Sequence, residues 1–225
     1  MPRGSPESRP GMVRFDREMI KRALRTQPSP PEEDMAWLPE TEPELRERIR
    51  RALPVKRVAA AVLVPVIERD GEFSLLLTQR ASTLRDHAGQ IAFPGGRIEP
   101  QDRDPWTAAL REAHEEIGLE ASRVEFAGYL PDHVIVTGFR VTPAVGFVTP
   151  DYRLRVAADE VDEAFEVPLA FLFDAANLRE RERAIGDASF AVYDITYGAR
   201  RIWGATAGMV MTLRRMLIAQ AGGVP

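Results

Sequence analysis

The stretch FPGGRIEPQDRDPWTAALREAHEEIGLE, from Phe93 to Glu120, decides how this sequence is interpreted. Two glycines, Gly95 and Gly96, open it, and three glutamates crowd its second half. The Asp-Pro pair that precedes the alanines is a typical helix start, and Gly118 is a typical helix end. The stretch therefore predicts a glycine-containing loop followed by a helix over residues 105–117.

The predicted helix has two distinct faces when its residues are placed at about 100° each. Glu112, Glu115 and Glu116 fall within about 100° of one another on one face. Arg111 lies beside Glu115, where it can hold that carboxylate by a charge-assisted hydrogen bond. The small residues that continue the acidic face are Ala108 and Ala109, and the predicted core face consists of Trp106, Leu110, Ala113 and Ile117.

A solvated acidic face is the simplest interpretation of this helix. It leaves unexplained why three mutually repelling carboxylates share a face with a single arginine nearby, and a divalent cation would resolve that repulsion. Oxygen ligands alone suit Mg²⁺ or Mn²⁺. Glu112 and Glu116 are the first-choice metal ligands because positions four apart share a face most closely, and Glu115 is either a further ligand or the partner of Arg111. The pattern predicts metal-assisted chemistry on a phosphate ester or anhydride.

The same residues resemble the Nudix box, whose pattern is G-x5-E-x7-R-E-U-x-E-E-x-G-U, with U a bulky aliphatic residue. The right half of the pattern matches at Arg111, Glu112, Glu115, Glu116, Gly118 and Leu119. In the left half, Asp102 stands where the pattern has glutamate, and the gap to the arginine is one residue longer. Asp102 is either the auxiliary carboxylate of the loop or merely a cap for the turn. We expect the substitution and the extra residue to affect this carboxylate more than the metal site.

A second signature precedes the box and shares its glycines. The sequence LLTQRASTLRDHAGQIAFPGG, from Leu76 to Gly96, resembles L-L-T-x-R-[SA]-x3-R-x3-G-x3-F-P-G-G, which marks the coenzyme A diphosphatase branch of the Nudix hydrolases. The resemblance implies an α/β/α sandwich around a mixed β-sheet. It also implies Mg²⁺- or Mn²⁺-dependent hydrolysis of coenzyme A, with its derivatives as further candidates, to 3′,5′-ADP and 4′-phosphopantetheine.

Site roles follow from the two signatures. The expected catalytic residues are Arg111, Glu112, Glu115 and Glu116, of which the three glutamates are the expected metal ligands. The expected substrate-binding residues are Arg80, Arg85, Gly95, Gly96 and Arg97. The arginines could instead pair with local acids such as Asp86 or Asp102. Asp159 or Glu160 is a candidate general base, and ordinary core or surface roles are expected for His87, His114, His133 and Trp106.

Two other functions remain open from the sequence. The box is also compatible with a Nudix hydrolase of another nucleoside diphosphate derivative, such as ADP-ribose or a dinucleoside polyphosphate. A non-catalytic nucleotide-sensing Nudix module would be favoured by loss of the metal glutamates, and all three are present.

Bulk composition excludes several classes of protein and site. The 225 residues contain no cysteine, which excludes disulfides, thiolate zinc sites and cysteine nucleophiles. A net charge of −4 without blocks of like charge argues against binding to nucleic acid. The apolar run at residues 58–67 is about half the length of a membrane helix, and residues 1–11 lack the apolar core of a secretory signal. We therefore expect a cytoplasmic protein with a small-molecule substrate, no membrane partner and an oligomeric state that the sequence leaves open.

Domain organisation is predicted from changes of texture along the chain. Residues 1–11 read as a flexible tail rich in Pro, Gly and Ser, residues 12–53 as a helical N-terminal extension, and residues 54–225 as the Nudix domain. Within the domain, strands are predicted at 56–68, 72–80, 124–130, 141–148 and 190–197, a strand running into a short helix at 160–173, and a closing helix at 204–220.

Overall fold

The computed structural model describes residues 15–33, 38 and 41–222. The α-helices are α1 (Arg17–Ala23), α2 (Pro43–Ala52), α3 (Pro105–Ile117), α4 (Leu169–Phe173) and α5 (Gly204–Gln220). The strands are β1 (Val58–Arg69), β2 (Glu72–Arg80), β3 (Ile91–Ala92), β4 (Gly95–Arg97), β5 (Val124–Tyr129), β6 (His133–Val134), β7 (Phe139–Val148), β8 (Val161–Pro168), β9 (Leu178–Ile185), β10 (Ala188–Tyr197) and β11 (Arg200–Trp203).

The main sheet is mixed. Its longest path of paired strands runs β3-β2-β1-β7-β5, with β4 also paired to β1, β6 to β7 and β8 to β2. The central pair, β1 and β7, is parallel, whereas β1 pairs with β2 and with β4 in the antiparallel sense. The predicted mixed sheet is therefore confirmed.

Helices cover both faces of this sheet because β1 is apolar on both faces. Successive side chains of a strand point to opposite faces. Val64 and Val66 accordingly join the core cluster that contains residues of α1 and α5. Leu63 and Ile67 join the cluster that contains residues of α3. This arrangement is the α/β/α sandwich that was expected.

A separate three-stranded antiparallel sheet, β11-β10-β9, was only partly predicted. The strand expected at residues 190–197 forms most of β10. Its partner β9, with the sequence LRERERAI, was not predicted because its charged side chains are mostly exposed and give no apolar alternation. Backbone pairing with β10 over eight residues holds it in place.

The N-terminal extension contributes to the main core. Ile20 of α1 and Leu24, which follows the helix, are buried in the same cluster as residues of β1, β7 and α5. The backbones of Arg25 and Tyr129 exchange two hydrogen bonds of 3.0 and 2.8 Å. The expected tail, residues 1–11, lies outside the described residues, and the proposed division of the chain at residue 53 stays a prediction.

Helix α5 is largely apolar, but it is too short or too polar to cross a bilayer, and the same holds for every other helix among the described residues.

Candidate active site

Helix α3 begins and ends where the sequence predicts. The Asp104 side chain accepts a hydrogen bond from the Thr107 backbone N–H, and the Thr107 hydroxyl accepts one from the Asp104 N–H, which together form a capping box. Gly118 ends the helix at φ 67°, a left-handed conformation that glycine adopts without a Cβ penalty. Local signals at both ends therefore fix where the helix begins and ends.

The buried face of α3 agrees only in part with the predicted one, in which Ala113 and Ile117 are fully buried as expected. Ala108 and Ala109, which were expected to continue the acidic face, are fully buried, while Trp106 and Leu110 are only partly buried. Small side chains let the helix lie close to β1 and β4. The burial of Ala108 and Ala109 turns the side of the helix that carries Glu112 and Glu116 toward the sheet.

Glu116 is buried as a result, with only 3% of its surface exposed. Its carboxylate accepts a hydrogen bond of 3.2 Å from the Gly95 N–H, and the Arg80 guanidinium lies 3.8 Å away. Burial raises the pKa of Glu116 to about 8; the Gly95 hydrogen bond and Arg80 oppose the rise, and the negative charges of Glu112 and Glu160 add to it. Holding the ionised form of Glu116 at this position therefore costs free energy, because there is too little positive charge around it.

The two glycines of the loop make this close approach possible. A Cβ at Gly96 would lie 2.5 Å from the carboxyl carbon of Glu112. A Cβ at Gly95, whose φ is 156°, would lie 2.4 Å from the carbonyl oxygen of Ala61. The backbone around Gly95 therefore leaves no room for a side chain, whereas a Cβ at Gly96 would require the Glu112 carboxylate to move. Burial also raises the pKa of Glu112, partly opposed by Arg111.

Arg111 organises the remaining carboxylates. Its Nε and one terminal nitrogen donate to the two oxygens of Asp102 at 3.1 and 2.9 Å. The other terminal nitrogen donates to Glu112 and Glu115, each at 3.0 Å. A fifth bond of 3.0 Å reaches the Arg97 carbonyl, so all five guanidinium donors have an acceptor. Glu115 is therefore held by Arg111, which is one of its two expected roles.

A turn between Glu99 and Asp102 accommodates the extra residue in the irregular half of the box. The Glu99 N–H donates to Asp102 at 2.8 Å, and the Asp102 N–H donates to the Glu99 carbonyl at 3.0 Å. This closed turn brings the aspartate to Arg111 in spite of the extra residue. The hydrogen bonds from Arg111 hold the pKa of Asp102 below its usual range. Asp102 acts both as the turn cap and as the anchor of Arg111.

The second signature reaches the box through Arg80 as well as through the shared glycines. Residues 81–90, which we call the signature loop, are closed onto β2 by the backbone of Arg80: its N–H donates to the Gln90 carbonyl, and its carbonyl accepts from the Gly89 N–H. The Arg80 side chain then faces Glu116. Its Nε is buried without a hydrogen-bond partner in the described structure.

The other predicted arginines are not gathered at the glutamates. Arg85 is exposed on the signature loop. Arg97 follows Gly96 on β4, so its side chain points to the opposite face of the strand, where the guanidinium lies 5.7 Å from the Phe139 ring. A substrate-binding role for Arg85 and Arg97 stays a prediction.

The histidines lie away from this cluster. His133 is buried against α5, and burial lowers its pKa to about 4. His114 lies near Glu120 on the exposed side of α3, and the Nδ1 atom of His87 contacts the Gln90 side chain. Of the two candidate bases outside the helix, Glu160 acts electrostatically on both Glu112 and Glu116.

A family model described as the NUDIX domain matches residues 56–187. The chain belongs to the Nudix family. As a Nudix hydrolase it acts on a phosphoric anhydride in a nucleoside diphosphate derivative, and Nudix hydrolases generally use divalent metal ions. The family match spans all of the elements that form the site, from β1 to β8.

Curated relatives extend the match beyond the domain. A protein named "Uncharacterized Nudix hydrolase NudL" from Shigella flexneri is 41% identical over 181 residues, which cover 80% of this chain and 91% of the relative. A protein of the same name from Escherichia coli K12 is 42% identical over 169 residues, covering 75% and 87%. These names give the Nudix hydrolase class and no substrate.

Solved Nudix structures also align with the chain. A Caenorhabditis elegans Ap4A hydrolase binary complex gives a TM-score of 0.47 at 21% identity, covering 73% of this chain and 98% of that one. The NUDIX domain of Shewanella oneidensis NrtR complexed with ADP ribose gives 0.40 at 18% identity, covering 60% and 82%. Neither is similar enough to indicate a substrate for this Nudix chain.

Proposed function

We propose that this Nudix hydrolase cleaves the diphosphate bond of coenzyme A, and of coenzyme A derivatives, to 3′,5′-ADP and 4′-phosphopantetheine with Mg²⁺ or Mn²⁺. The observation that carries the proposal is the contact of Arg80 with Glu116 at 3.8 Å. It joins the coenzyme A signature to the box at the most buried carboxylate of the site. The cytoplasmic location stays a prediction.

The site fits a hard divalent cation by the chemistry of its donors. Glu116 is buried with a raised pKa, and the charges of Glu112 and Glu160 oppose its ionisation. Among the described residues, no three acidic or histidine side chains already form a complete metal site. Mg²⁺ is commonly held by one or two carboxylates together with water and substrate phosphates. Glu112 and Glu116 are the residues that would hold it.

A bound divalent cation would neutralise the diphosphate and lower the pKa of a coordinated water. The chain's own groups prepare the site for that role. The Gly95 N–H fixes one oxygen of Glu116, and Arg111 fixes Glu112 while Asp102 fixes Arg111. Arg80 brings a positive charge beside Glu116, where it can bind an anionic substrate oxygen by a charge-assisted hydrogen bond.

Glu160 is our candidate for the general base. It is exposed on the turn before β8, and its backbone carbonyl accepts a hydrogen bond of 2.9 Å from the Ala81 N–H. This bond ties the turn to the start of the signature loop. Its charge acts on Glu112 and Glu116, which indicates proximity to the reaction site. A carboxylate that is open to solvent can accept a proton from water.

Hydrolysis of a substrate panel tests the proposal. Coenzyme A, ADP-ribose and a dinucleoside polyphosphate are incubated with the protein and Mg²⁺, and kcat/KM is measured for each. We expect coenzyme A to give the highest kcat/KM. Cleavage of ADP-ribose with coenzyme A left intact would overturn the substrate assignment, while the assignment to the hydrolase class would stand.

A further inference from the structure

A cavity of about 380 Å³ lies between the signature loop and the hairpin formed by β10 and β11. Its polar and aromatic wall consists of Gln79, Gln90, Arg200, Arg201 and Trp203. Both charged residues of the wall are cations, and no carboxylate belongs to the lining. In a protein with a net charge of −4, this concentration of positive charge is local.

Arg201 keeps a positive charge in spite of its ion pair. It donates to Asp194 at 3.1 and 2.7 Å, and its guanidinium lies 5.2 Å from the Trp203 ring. Arg181 pairs with the same Asp194 oxygen at 2.6 Å. One buried carboxylate is thus shared by two arginines, so this group of three side chains carries a net charge of +1.

Arg200, the residue before Arg201 on β11, is also held by neighbouring side chains. It binds both oxygens of Glu163 at 2.6 and 2.8 Å, and its guanidinium lies 4.3 Å from the Phe165 ring. A guanidinium has five donors, more than one carboxylate takes up. Both arginines are therefore held in one orientation while retaining donors, which reduces the entropy lost when they bind a ligand.

The cavity and the reaction site flank adjacent residues of β2. Gln79 lines the cavity, and the next residue, Arg80, contacts Glu116. The register of β2 against β8 shifts between these two residues, and β3, at the edge of the sheet here, is only two residues long. A ligand that extends along the signature loop past this short edge strand can contact both the cavity and the site at Glu116.

We propose that this cavity binds a phosphate monoester on the nucleoside part of the substrate, an inference that rests on the proposed function. Arginine recognises phosphate by paired, charge-assisted hydrogen bonds, and the amides of Gln79 and Gln90 can donate to the same group or to the ribose. On the nucleoside side of the diphosphate, the 3′-phosphate is the group that distinguishes coenzyme A from ADP-ribose. The cavity would thereby make the signature loop a determinant of specificity.

Isothermal titration calorimetry with adenosine 3′,5′-bisphosphate and adenosine 5′-monophosphate, in the presence of Mg²⁺, tests the proposal. The unmodified protein should bind the bisphosphate at least about tenfold more tightly, as expected for one charge-assisted phosphate contact. Arg201→Gln should reduce the preference to below about threefold. This variant leaves Asp194 paired with Arg181, so the fold should persist. Arg200→Gln provides an independent second variant.

Arg183→Ala is the matched control, because it removes an arginine from β9 in the same small sheet but outside the cavity lining. It should leave the preference unchanged. Equal affinity of the unmodified protein for the two nucleotides overturns the cavity assignment, as does a preference that survives both cavity variants. If the unmodified protein prefers the bisphosphate but does not cleave coenzyme A, the proposed reaction is refuted and the cavity assignment stands.

Discussion

The buried position of Glu116 predicts how the free energy of unfolding changes with pH. In the absence of a divalent ion, burial raises its pKa from 4.5 to about 8. Between these values the folded protein keeps a proton that the unfolded chain has released. The free energy of unfolding must therefore fall as pH rises from about 4.5 to 8. At about 1.4 kcal/mol for each unit of pKa, the loss approaches about 5 kcal/mol as an upper bound.

Glu116→Gln removes the titrating group and should remove this part of the pH dependence. Urea unfolding is measured at pH 5, 6, 7 and 8 in the presence of EDTA for both proteins. The variant should gain stability over the unmodified protein by a few kcal/mol from pH 5 to pH 8. Saturating Mg²⁺ should flatten the profile of the unmodified protein, because a cation favours the carboxylate.

The exposed residue Glu115 provides the control. Glu115→Gln should keep the pH profile of the unmodified protein, since the Glu115 side chain is 52% exposed. Parallel profiles for the unmodified protein and Glu116→Gln would refute the reasoning, because they would mean that the buried carboxylate does not hold a proton in the folded state.

Three further substitutions test the loop, the anchor and the N-terminal helix. Gly96→Ala should lower kcat about 100-fold, because the new Cβ displaces the Glu112 carboxylate; steady-state kinetics measures this. Asp102→Ala should cost about 3 kcal/mol in urea unfolding, because it removes the main partner of the partly buried Arg111. Ile20→Ala should cost about 3 kcal/mol in the same assay, because α1 forms part of the main core.

Each of these substitutions has a control with the same or a closely similar chemical change. Gly208→Ala in α5 meets its nearest atoms at 3.6 Å and should leave kcat unchanged. Asp151→Ala removes an exposed ion pair with Arg123 and should leave the urea midpoint nearly unchanged. Val55→Ala, at 97% exposure, should change stability by less than about 0.5 kcal/mol. Equal effects in test and control would contradict the structural reasoning.

Local signals in the sequence predicted the bounds of α3. The Asp-Pro start and the Gly118 end depend on neighbouring residues, and α3 follows them. The face of α3 that is buried depends instead on its distance from the sheet. Fully buried Ala108 and Ala109 and partly exposed Trp106 reverse the order expected from hydrophobicity. Close packing of small side chains outweighed side-chain size there.

Tertiary contacts account for what the sequence did not predict. Arg111 was assigned to Glu115, but it also binds Asp102, which is nine residues away along the chain. The role of Glu160 depends on β8 pairing with β2. β9 has no apolar pattern and is specified by its pairing with β10. Neither composition nor periodicity carries information of this kind.

The most direct test of the central claim is the release of products from coenzyme A. The unmodified protein and Glu116→Gln are incubated with coenzyme A and Mg²⁺, and the products are separated by chromatography and identified by mass. We predict 3′,5′-ADP and 4′-phosphopantetheine in equal amounts from the unmodified protein and loss of turnover in the folded variant. Equal turnover by the two proteins, or no cleavage of coenzyme A by either, would contradict the account.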